Sequence, residues 1–209
     1  NTVRGLTTNG SSSTIYGAYL GSSNAGISFY KNRIADVTAN GGTGTAHGLY
    51  GVATSTSNIY NNLIGNINAP ASTGTNKANG IYLSSGTNVN IFFNTIYLSG
   101  TSAGANFGSN GIYASVTPVL NLRNNIVVNN LVPTGTGISA AFRRSTTSLT
   151  SYSVSSNNNL FYAGTPGPNN VIFHNGTAYQ TMAAFQTLVT PREVASVSQN
   201  PSFLNTSGI

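Results

Sequence analysis

The sequence predicts an all-β chain: a right-handed parallel β-helix (a solenoid) of about five coils, about 31 residues per coil, with one short C-terminal helix. Three observations lead there. Two short markers recur in phase, the segments between them read as strands, and polarity is supplied by Asn, Ser, Thr and Gly instead of charge.

The first marker reads apolar, any, any, Asn, any, apolar. It occurs as Phe29-Tyr30-Lys31-Asn32-Arg33-Ile34, Ile59-Tyr60-Asn61-Asn62-Leu63-Ile64, Ile91-Phe92-Phe93-Asn94-Thr95-Ile96 and Leu122-Arg123-Asn124-Asn125-Ile126-Val127. A degraded copy ends in Asn159-Leu160-Phe161, and Asn1-Thr2-Val3 fits the last three places. The Asn positions 1, 32, 62, 94, 125 and 159 are separated by 31, 30, 32, 31 and 34 residues. The second marker is Gly48-Leu49-Tyr50, Gly80-Ile81-Tyr82 and Gly111-Ile112-Tyr113, with weaker copies at Gly17-Ala18-Tyr19 and Gly137-Ile138-Ser139.

Between the markers, segments are short, alternate apolar with polar, and favour Ile, Val, Tyr and Phe, which is the pattern of strands. None can bury its own face. Stacking like strands of successive repeats about 4.8 Å apart gives parallel sheets around a shared interior. Phe29, Ile59, Ile91 and Leu122 are then one interior stack, and Ile34, Ile64, Ile96, Val127 and Phe161 another.

The recurrent Asn is expected to turn a corner at positive φ, which Asn tolerates better than other non-Gly residues. Its amide is expected to bond the Asn of the next coil. Asn32, Asn62, Asn94, Asn125 and Asn159 therefore read as an asparagine ladder. The Gly/Ser/Thr/Ala-rich stretches 40–46, 69–78 and 99–109 vary in length and read as loops leaving one side of the solenoid.

The coils occupy residues 1–175. In 176–209, Met182, Phe185 and Leu188/Val189 fall at helical spacing before Pro191, predicting a helix at about 180–189 that caps or flanks the stack. A further strand is expected to start at Pro201-Ser202-Phe203-Leu204-Asn205. Asn1 reads as a cut into a longer chain, since no initiator Met or leader pattern stands there.

The Asn-x-[Ile/Val] units resemble the right-handed parallel β-helix, or pectin-lyase-like, superfamily. The run from Asn175-Gly176-Thr177 through Ala183-Ala184-Phe185-Gln186 to Asn200-Pro201-Ser202-Phe203-Leu204-Asn205 is similar to the closing segment of β-helix regions in large secreted, surface-sorted proteins of Bacteroidetes-type bacteria. In those the last motif is Asp-Pro-x-Phe-x-Asn; here Asn200 stands in place of Asp. The resemblance implies the fold and an extracellular or cell-surface location. It does not select among lyases, hydrolases, adhesins and passive stalks, all of which use this fold.

Composition bears on that choice. Charged residues make up 5% of the 209 positions, against about 25% in an average domain. The eight Lys and Arg are scattered, Arg143-Arg144 being the one adjacent pair, so the net charge of +6 does not predict a nucleic-acid partner. No apolar run is long enough to span a membrane. There is no Cys, hence no disulfide framework and no thiolate metal site.

Enzymes of the resembling superfamily rely on clustered carboxylates, and this chain has two, Asp36 and Glu193. Four coils separate them, on the order of 20 Å along the axis. A glycosidic bond is cleaved between carboxylates about 5–9.5 Å apart, and a calcium site draws on six or more oxygens. His47 and His174 have no acid or thiol at ligand spacing and read as satisfied or exposed histidines. Gly100-Thr101-Ser102-Ala103-Gly104 lacks the strand-to-helix setting of a nucleophile elbow. No catalytic residue, cofactor or metal is expected.

The leading expectation is a non-catalytic structural or adhesive solenoid of a surface protein or fibre, with self-association as one partner mode. The alternative is a polysaccharide-binding module with Tyr50, Tyr82 and Tyr113 as a glycan-facing strip, and behind it a lyase- or hydrolase-like domain. The tyrosines also read as cross-strand stabilisers. Asn9-Gly10-Ser11, Asn175-Gly176-Thr177 and Asn205-Thr206-Ser207 match the N-glycosylation pattern.

Overall fold

The computed structural model describes residues 1–22, 26–52 and 55–204. The chain winds as a parallel β-solenoid with one strand per coil on each of three sheets. The first coil holds β1 (Thr2–Thr8), β2 (Thr14–Leu20) and β3 (Ile27–Tyr30), and the second β4 (Arg33–Ala39), β5 (Thr45–Gly51) and β6 (Ser57–Tyr60). The third holds β7 (Leu63–Asn68), β8 (Ala78–Leu83) and β9 (Asn88–Phe92), and the fourth β10 (Thr95–Gly100), β11 (Ser109–Ala114) and β12 (Val119–Arg123). The fifth keeps β13 (Ile126–Leu131) and β14 (Ser139–Arg144), and a partial sixth has β15 (Leu160–Tyr162) and β16 (Asn170–His174). Sheet A is β1-β4-β7-β10-β13-β15, sheet B is β2-β5-β8-β11-β14-β16 with β17 (Ala178–Tyr179) added antiparallel, and sheet C is β3-β6-β9-β12.

The interior stacks form as the repeat predicts. Phe29, Ile59, Ile91 and Leu122 are register partners on sheet C. Ile34, Ile64, Ile96, Val127 and Phe161 are partners on sheet A, all fully buried.

The two markers meet in space. A Cβ added to Gly80 would lie 2.5 Å from Ile96 Cγ2 and 2.6 Å from the Gly111 carbonyl, and one added to Gly48 would meet Ile64 and the Gly80 carbonyl in the same way. The Gly before each Tyr is thus small because the Ile or Val after a ladder Asn packs across the interior onto it. The fifth coil corrects one expectation. The register partner of Gly111 is Ala141, between the pairs Asn110↔Ala140 and Ile112↔Phe142, so Ala141-Phe142-Arg143 is the marker there and not Gly137-Ile138-Ser139. By register the residue opposite Ala141 is Phe161, which has no β-branched methyl. Gly137 is small for another reason: it lies against the Phe107 carbonyl of the loop beneath. We expect Gly80→Ala to cost about 1–3 kcal/mol by overpacking, read as a lower urea midpoint. An unchanged midpoint would mean that the Ile96 contact yields freely.

The loops between sheets A and B lie on one side, as expected, but stack instead of projecting singly. Ser72 Oγ donates to the carbonyls of Gly41 (2.9 Å) and Gly44 (2.5 Å), Ala103 N to Pro70 O (2.7 Å), and Thr73 N to Gly42 O (2.8 Å).

The helix α1 (Met182–Val189) has Thr181 as N-cap, its hydroxyl accepting from Ala184 N at 3.2 Å. Phe185 closes the core against Phe173, Phe161 and Phe142, with centroids 4.6, 6.0 and 6.2 Å away. Residues 201–203 form no strand; Phe203 packs edge-on against Tyr97 at 5.1 Å. Asn205 and the Asn205-Thr206-Ser207 triplet lie outside the described residues.

Candidate functional site

The asparagine ladder is present at the corner between sheets C and A. Asn1 Nδ2 donates to Asn32 Oδ1 (3.1 Å), Asn32 to Asn62 (3.0 Å), Asn62 to Asn94 (2.9 Å), Asn94 to Asn125 (3.1 Å) and Asn125 to Asn159 (2.9 Å). Each Oδ1 from Asn62 onward also accepts the backbone N–H of the preceding ladder Asn, at 2.9–3.0 Å. The amides Asn62, Asn94, Asn125 and Asn159 reach back to the carbonyls of Phe29, Ile59, Ile91 and Leu122. The positive φ falls one residue earlier than expected, on Lys31, Asn61, Phe93, Asn124 and Asn158 (54–60°). The ladder Asn is held by its hydrogen bonds, while its predecessor absorbs the corner.

Glu193 ends the ladder, which sequence reading did not anticipate. A chain of amides donating one way leaves Asn159 in need of a terminal acceptor. The carboxylate accepts Asn159 Nδ2 at 3.1 and 2.9 Å and also takes the hydroxyls of Tyr152 and Ser196. It is fully enclosed. Burial pushes its pKa up, and the hydrogen bonds from Asn159, Ser196 and Tyr152 oppose that. Asp36 is elsewhere, in β4 at positive φ, accepting from Asn66 Nδ2 at 2.6 Å. Among the described residues, no three His, Cys, Asp or Glu side chains gather as a metal site. Ser102 is held in the loop stack, its hydroxyl donating to Ala69 O at 3.0 Å.

The outer face of sheet B is the surface best furnished to hold a ligand. Leu49, Ile81 and Ile112 enter the core, so the following Tyr50, Tyr82 and Tyr113 point outward. One row in register runs Tyr19, Tyr50, Tyr82, Tyr113, Arg143, His174. A second, three residues earlier, runs Tyr16, His47, Asn79, Asn110. The first row's rings stack nearly parallel, with centroids 5.5, 5.3 and 4.3 Å apart from Tyr19 to Tyr113. Their faces are therefore largely spent on one another, and edges and hydroxyls face outward.

The loop carrying Thr75 and Asn76 crosses this face. Asn79 Nδ2 donates to Asn76 O (2.8 Å), and Asn110 Nδ2 donates to the Oδ1 atoms of Asn76 (2.9 Å) and Asn79 (2.7 Å). It thus divides the face into two hollows. One, of about 320 Å³, is lined by Tyr16, His47, Tyr50, Tyr82 and their Thr/Asn neighbours. The other, of about 210 Å³, is lined by Tyr113, Arg143, His174, Asn76 and the 175–176 turn.

His47 corrects the expectation of a satisfied or exposed histidine. It is buried at 3% exposure, its Nδ1 has no hydrogen-bond partner among the described residues, and it stacks on Tyr16 at 5.5 Å. Burial lowers its pKa to about 3. His174 is lowered to about 4 by burial and by Arg143. Adjacent in sequence, Arg143 and Arg144 diverge: Arg143 continues the tyrosine row, while Arg144 is enclosed and donates to Ser151 Oγ at 2.7 Å.

No protein-family model, curated protein or solved structure matches the chain.

Tyr50, Tyr82 and Tyr113 are thus brought together as one outward row. Tyr19 takes the place its marker copy predicts, and Tyr16, His47, Asn110, Arg143 and His174 join them unforeseen. The step from Asn125 to Ala141-Phe142-Arg143 is 16 residues, the same as from Asn32 to Gly48, and that spacing could have located Arg143 in the row.

Proposed function

We propose that the chain is a non-catalytic structural or adhesive solenoid module of an extracellular, cell-surface protein or fibre. What carries this reading is the stack itself, coils in register around a buried ladder, with the two carboxylates, Asp36 and Glu193, each held in a separate structural hydrogen bond. At the C-terminal end α1 covers the aromatic core and Glu193 terminates the ladder. The resemblance to the closing β-helix segments of surface-sorted Bacteroidetes-type proteins supports the same reading, as does the separation of the two carboxylates.

Electron microscopy of the 209-residue chain tests it. The expected image is short rigid rods. Flexible or collapsed particles would overturn the structural role. Turnover of polysaccharides, assayed by new reducing ends or unsaturated products, would overturn the non-catalytic one.

A second reading, polysaccharide binding along Tyr50, Tyr82 and Tyr113, is favoured by their outward row beside a hollow. Because the ring faces are occupied, contact would run through ring edges and hydroxyls. A glycan array on which wild type and Tyr50→Ala/Tyr82→Ala behave alike would remove it.

A further inference from the structure

We propose that the hollow at the C-terminal end of the tyrosine row is an oxyanion-binding site, in which Arg143 supplies the charge and Tyr113 and His174 supply neutral donors to a carboxylate- or sulfate-type group. The proposal does not depend on either functional reading above.

No carboxylate balances the charge of Arg143 in this hollow. Arg143 Nη1 is buried and has no hydrogen-bond partner among the described residues. The residue as a whole is half-buried, and a guanidinium N–H shut off from water is costly unless an acceptor replaces the solvent. The chain's two carboxylates are both committed elsewhere, Asp36 to Asn66 on sheet A and Glu193 inside the ladder. The neighbours of Arg143 along the row are Tyr113 and His174, its register partners on either side. All three line the same hollow of about 210 Å³, together with Arg144, Ser145, Asn76, Asn175 and Gly176. No acidic side chain lines it.

The other donors suit an anion. Gly176 N donates to His174 Nδ1 at 3.4 Å. That assigns the ring proton to Nε2, which becomes a donor while the ring is neutral. Tyr113 carries a phenol next to that of Tyr82, whose own ionisation is pushed up chiefly by burial and then by the Tyr113 neighbour. A planar guanidinium meets a two-oxygen edge of carboxylate or sulfate with paired N–H donors. A neutral ligand would leave the Arg143 charge unanswered.

The test is an NMR titration of the intact chain with sodium sulfate and, separately, sodium acetate, each against sodium chloride at matched ionic strength. Saturable shifts are expected at Gly176, Asn175 and the Arg143 side chain with either oxyanion and not with chloride. The pKa of His174, which starts at about 4, is expected to rise on sulfate binding, because an adjacent anion favours the imidazolium. Arg143→Gln should weaken binding by about tenfold or more, and Arg143→Lys should fall between, keeping charge but losing the planar pair of donors. Preserved tertiary shifts in both variants would separate lost binding from lost folding. Shifts spread over the surface without saturation, an unmoved His174 titration, or equal binding by Arg143→Gln would overturn the site.

Discussion

Replacing Asn94 by Leu is expected to destabilise the solenoid by about 3–5 kcal/mol, from the sum of an orphaned donor and several lost buried bonds. Asn94 is 1% exposed and sits at the middle of the ladder. Its Oδ1 accepts both the backbone N–H (3.0 Å) and the side-chain amide (2.9 Å) of Asn62. Its own amide donates to Asn125 Oδ1 (3.1 Å) and to the carbonyls of Ile59 (2.9 Å) and Phe92 (3.1 Å). Leu has the same branching and fills the space, so no water can enter to replace the amide. The Asn62 N–H then has no acceptor. Asn90→Leu makes the contrast. Asn90 also donates to an Asn one coil away, Asn58 Oδ1 at 2.8 Å, but on the half-buried outer side. Water takes its place there, and the cost should stay below about 1 kcal/mol. Urea midpoints at unchanged m read both variants. Equal losses would mean that the interior ladder has no special weight.

The repeat is legible in the sequence because stacking forces equivalence. Every residue of one coil lies on its counterpart in the next, so Ile34, Ile64, Ile96 and Val127 share one environment and one chemistry. The helix is legible from Met182, Phe185 and Val189 because spacing alone determines which face is apolar. The corner is less legible. Of the residues in the left-handed conformation, Asn61, Asn124 and Asn158 are Asn but Lys31 and Phe93 are not, so composition points instead to the neighbour that recurs in every coil. Glu193 is hidden for a related reason: it follows Asn159 by 34 residues, inside a segment that has stopped repeating. Burial of a polar side chain by a loop is less legible still. Nothing adjacent to His47 indicates that Thr75 and Asn76 close over the same hollow.

The candidate surface shows the same division. Tyr50, Tyr82 and Tyr113 stand out because identical residues recur at identical places. Arg143 and His174 occupy the same row as its fifth-coil and sixth-coil members, but their chemistry breaks the pattern. In a solenoid the repeating positions build the core and the columns, and a departure from the repeat on the outer face gives one coil a chemistry its neighbours lack. Arg143 is such a departure, and the oxyanion proposal rests on it.

His47 should make the chain lose stability on acidification. Its folded pKa is about 3, against an ordinary value of 6.5, because burial disfavours the charged ring. The unfolded chain therefore takes up a proton as pH falls below 6.5, and the folded chain does not until near 3. The stability associated with neutral His47 is complete above 6.5 and is lost progressively down to about 3. The full span corresponds to about 4–5 kcal/mol at about 1.4 kcal/mol per unit. His174, lowered to about 4, acts in the same direction. Glu193 opposes both: its raised folded pKa means that the folded state binds the proton first, adding stability as pH falls through its window. The informative variant is His47→Asn, since Asn79 and Asn110 occupy the same register position in the next two coils. Urea unfolding of wild type and His47→Asn between pH 7 and pH 3.5 should give diverging profiles, the variant losing about 4 kcal/mol less over that range. Parallel profiles would show that His47 takes up its proton without unfolding the chain, and that the hollow around Tyr16, Tyr50 and Tyr82 admits water.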